Sequence, residues 1–174
     1  RRAKLGLEAE WKDDQALIEE LLEVLQLVET DMTLFYRCLA TLELTDPAMD
    51  RVPDPTLVAP LDDAYYRPGE RTLETIGRTA AWLRRYGERV RAEGTSDEAR
   101  RERMNAVNPL YVLRNFQAQL AIEAAEKGDV SRIEALQDVL RDPYVEQDGR
   151  QEFAAKRPDW ARDRPGCSML SCSS

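Results

Sequence analysis

The residues best suited to chemistry in this chain are three cysteines, Cys38, Cys167 and Cys172, and no histidine accompanies them. Without imidazole the common Cys–His and Ser–His pairings are excluded, and so are most zinc sites. Three thiols with no CxxC spacing also fall short of a metal-ligand set. Cys38 lies beside an apolar stripe at helical spacing and reads as a small buried hydrophobe. Cys167 and Cys172 stand in the closing stretch PGCSMLSCSS, where a thiol packs against nothing and is open to exchange, so these two are the redox candidates. A bond between them closes a small loop, whereas a bond from Cys172 to a thiol elsewhere pins the tail. The carboxylate pairs Asp13–Asp14 and Asp62–Asp63 have no supporting partner that would make one an acid and the other a base. There is no phosphate-binding glycine loop and no HEXXH, so no catalytic, cofactor-binding or metal-binding residue is assigned.

The elements that carry these residues are helical. Residues 108–144 read as a hairpin: Asn108 caps a first helix with Pro109 at its first position, and Leu110, Leu113, Phe116, Leu120 and Ala124 form its apolar stripe. Gly128 ends that helix, Asp129 caps a second one carrying Val130, Ile133, Leu136 and Leu140, and Asp142 before Pro143 stops it. Upstream, one helix is expected from Asp13 on the spacing of Leu17, Leu21, Val24, Leu25 and Val28. A second follows on Met32, Phe35, Tyr36, Leu39 and Leu42. Five prolines between Thr45 and Pro68 predict a long loop over 45–68. The longest helix is expected from Gly69 or Glu70 to Ala92, with Leu73, Ile76, Ala80, Leu83 and Val90 inward, Trp82 and Tyr86 widening the stripe, and close packing at Gly77 and Gly87. Thr95 with Glu98 predicts a capping box opening a charged helix through Met104. The arginines of 84–103, interleaved with acids, read as a solvated face. The fold class is therefore all-α, with a helical region over 1–145 and a mostly irregular cysteine-bearing tail over 146–174, in which Trp160 docks on the domain.

Size and charge bound the rest. At 174 residues the chain is long enough for one real core. A third of its residues are charged and the net charge is −8, which argues against nucleic acid and anionic membrane as partners. No apolar run approaches the roughly 20 residues of a membrane helix and no signal pattern opens the chain, so a soluble, cytoplasmic location is expected. The chain opens on Arg1 rather than methionine and reads as a trimmed piece.

Several stretches resemble the selenoprotein O type protein adenylyltransferases, kinase-like proteins that transfer AMP from ATP to protein hydroxyls. NPLYVLRN followed by AQLAIEAAEKGD looks like that family's NPxYVLRN stretch, continued by LRDPY, by Glu146–Gln147, by PDWA at 158–161 and by the ending SCSS. RAKLGL near the start and TDMTLFYR at 30–37 match the segment before them. Leu110 departs from the lysine usual after the Asn-Pro pair. The resemblance implies the C-terminal helical part of a kinase-like protein. Its ATP-binding lysine, glutamate partner and metal-binding asparagine and aspartate would precede this chain, and ATP with Mg2+ or Mn2+ would bind the full-length protein rather than this segment. Its partners would be the N-terminal kinase-like region and protein substrates. It also marks Cys172, third from the end, as the position that is cysteine in bacterial relatives and selenocysteine in many eukaryotic ones, with a redox role; Cys167 could compete for the same thiol partner. The alternative is a free-standing helical interaction module without catalysis. A third reading, a thiol carrier acting through Cys167 and Cys172, has only Arg162 and Arg164 nearby to lower a thiol pKa.

Overall fold

Three helices begin where the sequence supplies a side-chain oxygen. Asp31 Oδ1 accepts from Leu34 N, Thr72 Oγ1 from Thr75 N and Ser96 Oγ from Ala99 N, each satisfying a donor that the first helical turn leaves open. The computed structural model describes residues 1–167; Cys172 lies outside the described residues. These divide into two compact units, one over Arg1–Asn108 and one from Pro109 onward. No strand or sheet forms among the described residues, only an isolated bridge between Thr30 and Tyr65, and none of their helices is long and apolar enough to cross a membrane.

The first unit contains α1 (Asp14–Gln26), α2 (Met32–Thr41), α3 (Asp54–Val58), α4 (Leu73–Glu93) and α5 (Asp97–Val107), with 3-10 turns at Arg2–Leu5, Pro47–Arg51, Ala59–Ala64 and Pro68–Glu70. The stretch 45–68 is thus not the expected loop. Pro47, Pro55, Pro60 and Pro68 occupy the first or second position of a short helical segment, where a missing N–H costs nothing. These short segments bury Met49, Leu57, Val58, Leu61 and Ala64. The long helix α4 packs against α1 and α3, and its Ala80, Trp82, Leu83, Tyr86 and Val90 are buried in one core with Leu17 and Leu21 of α1 and Phe35 and Leu39 of α2. Trp82 Nε1 donates to Leu17 O at 2.9 Å and the ring stacks on Tyr86 at 5.2 Å. Leu73, expected in the stripe, is 84% exposed because α4 begins there, before its first turn reaches the core. Of the two α4 glycines, only Gly87 marks a close approach: a Cβ there would lie 2.7 Å from Met49 Sδ, whereas at Gly77 the nearest atom is 3.7 Å away.

The second unit contains α6 (Asn115–Ala125), α7 (Ser131–Arg141) and the short α8 (Gln151–Ala154). Gly128 is left-handed as expected, with φ 89°, but the connection is longer than the sequence suggests: α6 ends at Ala125, and α7 starts at Ser131 with Val130, exposed rather than in the stripe, at its N-cap, while Asp129 Oδ1 accepts from Ser131 N just before it. The first helix, however, starts at Asn115, not after Asn108. Leu110 and Tyr111 both donate their N–H to Pro143 O, at 2.8 and 3.1 Å, which ties the start of the non-helical 109–114 run to the end of α7. Leu110 and Leu113 therefore leave the stripe, and Leu113 is half exposed. The chain divides after Asn108 rather than after residue 145, because residues 146–167 fold back on the hairpin. Phe153 is buried with Tyr111, Ala121, Leu136 and Val139, and Ala161 with Phe116.

Candidate functional site

Cys167 is the described redox candidate, and its setting is unlike the open tail expected. The residue is 1% exposed, clustered with Phe116 and Ala161, with Leu120 packed against them. Its N–H donates to Arg164 O at 3.0 Å, and Gly166 at φ 82° turns the chain in against Gln119. Trp160 covers the cluster edge-on, 6.3 Å from Phe116, with the Arg164 guanidinium over its indole at 5.3 Å and that guanidinium paired to Glu123. Trp160 remains half exposed, so it docks by one edge rather than by its whole surface. A thiol sealed in this way exchanges only when the segment lifts. Cys38 is half-buried on α2 against the first core.

The stretch that carried the strongest family resemblance builds a polar hub in the second unit. Tyr111, 2% exposed, accepts through its hydroxyl from Gln147 N at 3.0 Å. Gln147 Nε2 donates to Val139 O and Asp142 O, which satisfies carbonyls at the end of α7. Buried Gln117 donates to Glu152 O and accepts from Arg132 Nη2 at 2.9 Å. Arg114 is also buried. These groups tie 109–114, α7 and α8 together by hydrogen bonds, and none is paired as a nucleophile with a base.

The charged face expected over 84–103 is interrupted by two buried arginines of the first unit. Arg89 donates to Asp14 through Nε at 2.6 Å and Nη2 at 3.3 Å, to Ala9 O at 2.9 Å, and lies 4.0 Å from the Trp11 ring centroid. Glu93 Oε1 accepts from the N–H groups of Glu8 and Ala9, which straps 8–11 across α4. Burial alone would raise the Asp14 carboxyl; the Arg89 hydrogen bond, the Trp11 N–H and the Arg89 charge outweigh it and hold it below its ordinary range. Arg100 is fully buried and donates to Leu39 O, Leu42 O, the Tyr86 hydroxyl and Asp97. Arg101 adds donors to Ala40 O and Thr41 O, so two α5 arginines close the C-terminus of α2. Burial pushes the Tyr86 hydroxyl up. For Asp97 burial again acts upward, but the Thr45 hydroxyl and the Leu44 and Thr45 N–H groups win and hold the carboxyl down. The signal for this burial is the register of each arginine: Arg89 is three residues beyond Tyr86 and Arg100 four before Met104, both inside apolar stripes. Among the described residues no three His, Cys, Asp or Glu side chains come together as a metal site.

The arrangement is a helical scaffold whose polar groups are spent on holding backbone. The Protein adenylyltransferase SelO family model matches residues 2–141. Protein nucleotidyltransferase YdiU of Aromatoleum aromaticum is 49% identical over 172 residues, which cover 99% of this chain and 31% of that protein. YdiU of Rhodopirellula baltica is 51% identical over 176 residues, 98% of this chain and 33% of the relative. YdiU of Azoarcus sp. is 49% identical over 172 residues. The chain spans about a third of the length of these relatives. It belongs to the SelO protein adenylyltransferase family, a family of protein nucleotidyltransferases.

Proposed function

We propose that this chain is the C-terminal helical part of a cytoplasmic protein adenylyltransferase that moves AMP from ATP to Ser, Thr or Tyr hydroxyls of protein substrates. Its part is to brace an N-terminal kinase-like region and to carry the redox-responsive Cys172. The observation that carries this reading is near-half identity along the whole chain to relatives about three times as long. ATP and a divalent metal, Mg2+ or Mn2+, are assigned to the kinase-like region on the family resemblance.

In the regulatory part of this reading, Cys172 and a thiol outside this chain give two protons and two electrons to a low-molecular-weight disulfide. One S–S bond forms in the protein, the small disulfide leaves as two thiols, and access to the ATP site changes. The buried Cys167 supports Cys172 over Cys167 as the thiol that responds. The test is AMP transfer by the full-length protein, wild type and Cys172→Ser, with and without reductant. The wild type is expected to respond to reductant and the variant not; an unchanged response in the variant refutes the redox role, and no AMP transfer by the wild type refutes the whole reading.

A further inference from the structure

The outward face of α6 stands out in a chain that is one-third charged. Of its eleven residues only Glu123 carries charge, and that carboxylate is held by Gln119 Nε2 at 3.1 Å and by Arg164. One side of the helix is filled, with Phe116, Gln117 and Ala121 buried. Another presents Ala118, Ile122 and Ala125 at i, i+4 and i+7, with Ile122 50% exposed and the alanines half-buried. Val130, 52% exposed, follows at the turn that closes the hairpin. That stripe adds a second apolar side to a helix whose first is already buried, and the wider the apolar part of a helix, the more of it is ordinarily covered.

The size of the stripe decides what covers it. The face is one helix about 16 Å long. A second copy seated there would bury far less than the roughly 800 Å² per partner of a stable dimer. A segment of the same polypeptide needs much less area, because its tether holds it at high effective concentration and docking costs little translational freedom. About two-thirds of the length of the relatives lies outside this chain, so such segments are at hand. Small residues at 118 and 125 let a helix or loop backbone come close, with Ile122 as the knob between them.

We propose that the α6 face of Ala118, Ile122 and Ala125, with Val130 at its end, is the docking surface for an apolar segment of the catalytic region in the full-length protein. This rests on the reading given under Proposed function. The test uses the full-length protein with Ile122→Cys, and with Gln137→Cys on the exposed polar side of α7 as reference. Alkylation of each engineered thiol is timed by peptide mass spectrometry in the native and urea-unfolded protein. Native labelling at residue 122 is expected about 100-fold slower than unfolded, since it must await local opening, while residue 137 labels at nearly its unfolded rate. Equal native rates at the two positions overturn the proposal. Protection at residue 122 that vanishes on dilution overturns it as well, because a second copy is then the cover. The readout is independent of catalysis: an active protein with a freely labelled residue 122 sinks the docking surface alone, and an inactive protein with a protected one sinks the enzymatic reading alone.

Discussion

Replacing Arg100 by methionine tests the idea that buried guanidinium groups, not surface charge pairs, hold α2 to α5. The side chain is fully buried and supplies the donors to Leu39 O, Leu42 O and the Tyr86 hydroxyl. Hydrogen bonds to a charged group are worth roughly 1.5–3 kcal/mol each, and the acceptors left behind are buried, so the gross loss is several such bonds. Against it stands the relief of no longer desolvating a guanidinium, which methionine of similar reach fills with apolar atoms. The balance expected is a destabilisation of about 3 kcal/mol, in the range for breaking one side of a buried pair. Arg101 makes the same kind of bond to Ala40 O and Thr41 O from an exposed position, where water replaces it, so Arg101→Met is expected to cost less than about 1 kcal/mol. Urea unfolding followed by circular dichroism reads both as shifts in midpoint at constant slope. Equal shifts for the two variants, or a shift for Arg100→Met no larger than that of a surface change, would refute the reasoning.

The α4 glycines give a second contrast. Gly77→Ala is expected to stabilise by up to about 1 kcal/mol through helix propensity, while Gly87→Ala, whose Cβ would press on the buried Met49, is expected to lose about 1 kcal/mol; thermal melts give the signs. Asp97 has a depressed folded-state pKa, so its contribution is fully present above the ordinary value and fades as pH falls below about 4. Asp97→Asn is therefore expected to lower the urea midpoint at pH 7 and to narrow the gap from wild type in acid; a gap that is constant with pH contradicts the assignment. Cys167 is expected to resist alkylation in the native protein and react readily once unfolded; native reaction at the rate of an open thiol would show that Trp160 and Phe116 do not seal it.

What the sequence revealed depended on whether the cause was local. The body of α4 and the left-handed Gly128 follow from periodicity and helix-end chemistry within a few residues, and both are found where expected. The non-helical 109–114 run is hidden because its partner, Pro143 O, is some thirty residues away, and that contact stands against the cap that Asn108-Pro109 suggests. The prolines of 45–68 misled for a different reason. Their frequency argues against a long helix but is equally compatible with a chain of short ones, each opened by a proline. Arg89 and Arg100 lie in a run whose alternating charge suggests a solvated face, and only their register within apolar stripes points to burial. Nothing in PGCSMLSCSS announces that Phe116, fifty residues earlier, clusters with Cys167.

Asn108 Nδ2 donates to Lys4 O at 2.9 Å, and Arg103 Nε to Gly6 O at 3.0 Å, so the first hundred-odd residues leave the unit beside the place where they came in. A body of this kind is a cassette: polypeptide joined before it and polypeptide joined after it emerge at one corner. Tension applied to its two ends would load that corner first and spare the interior, and new ends cut elsewhere on its surface, with the old ones spliced, would need only a short bridge.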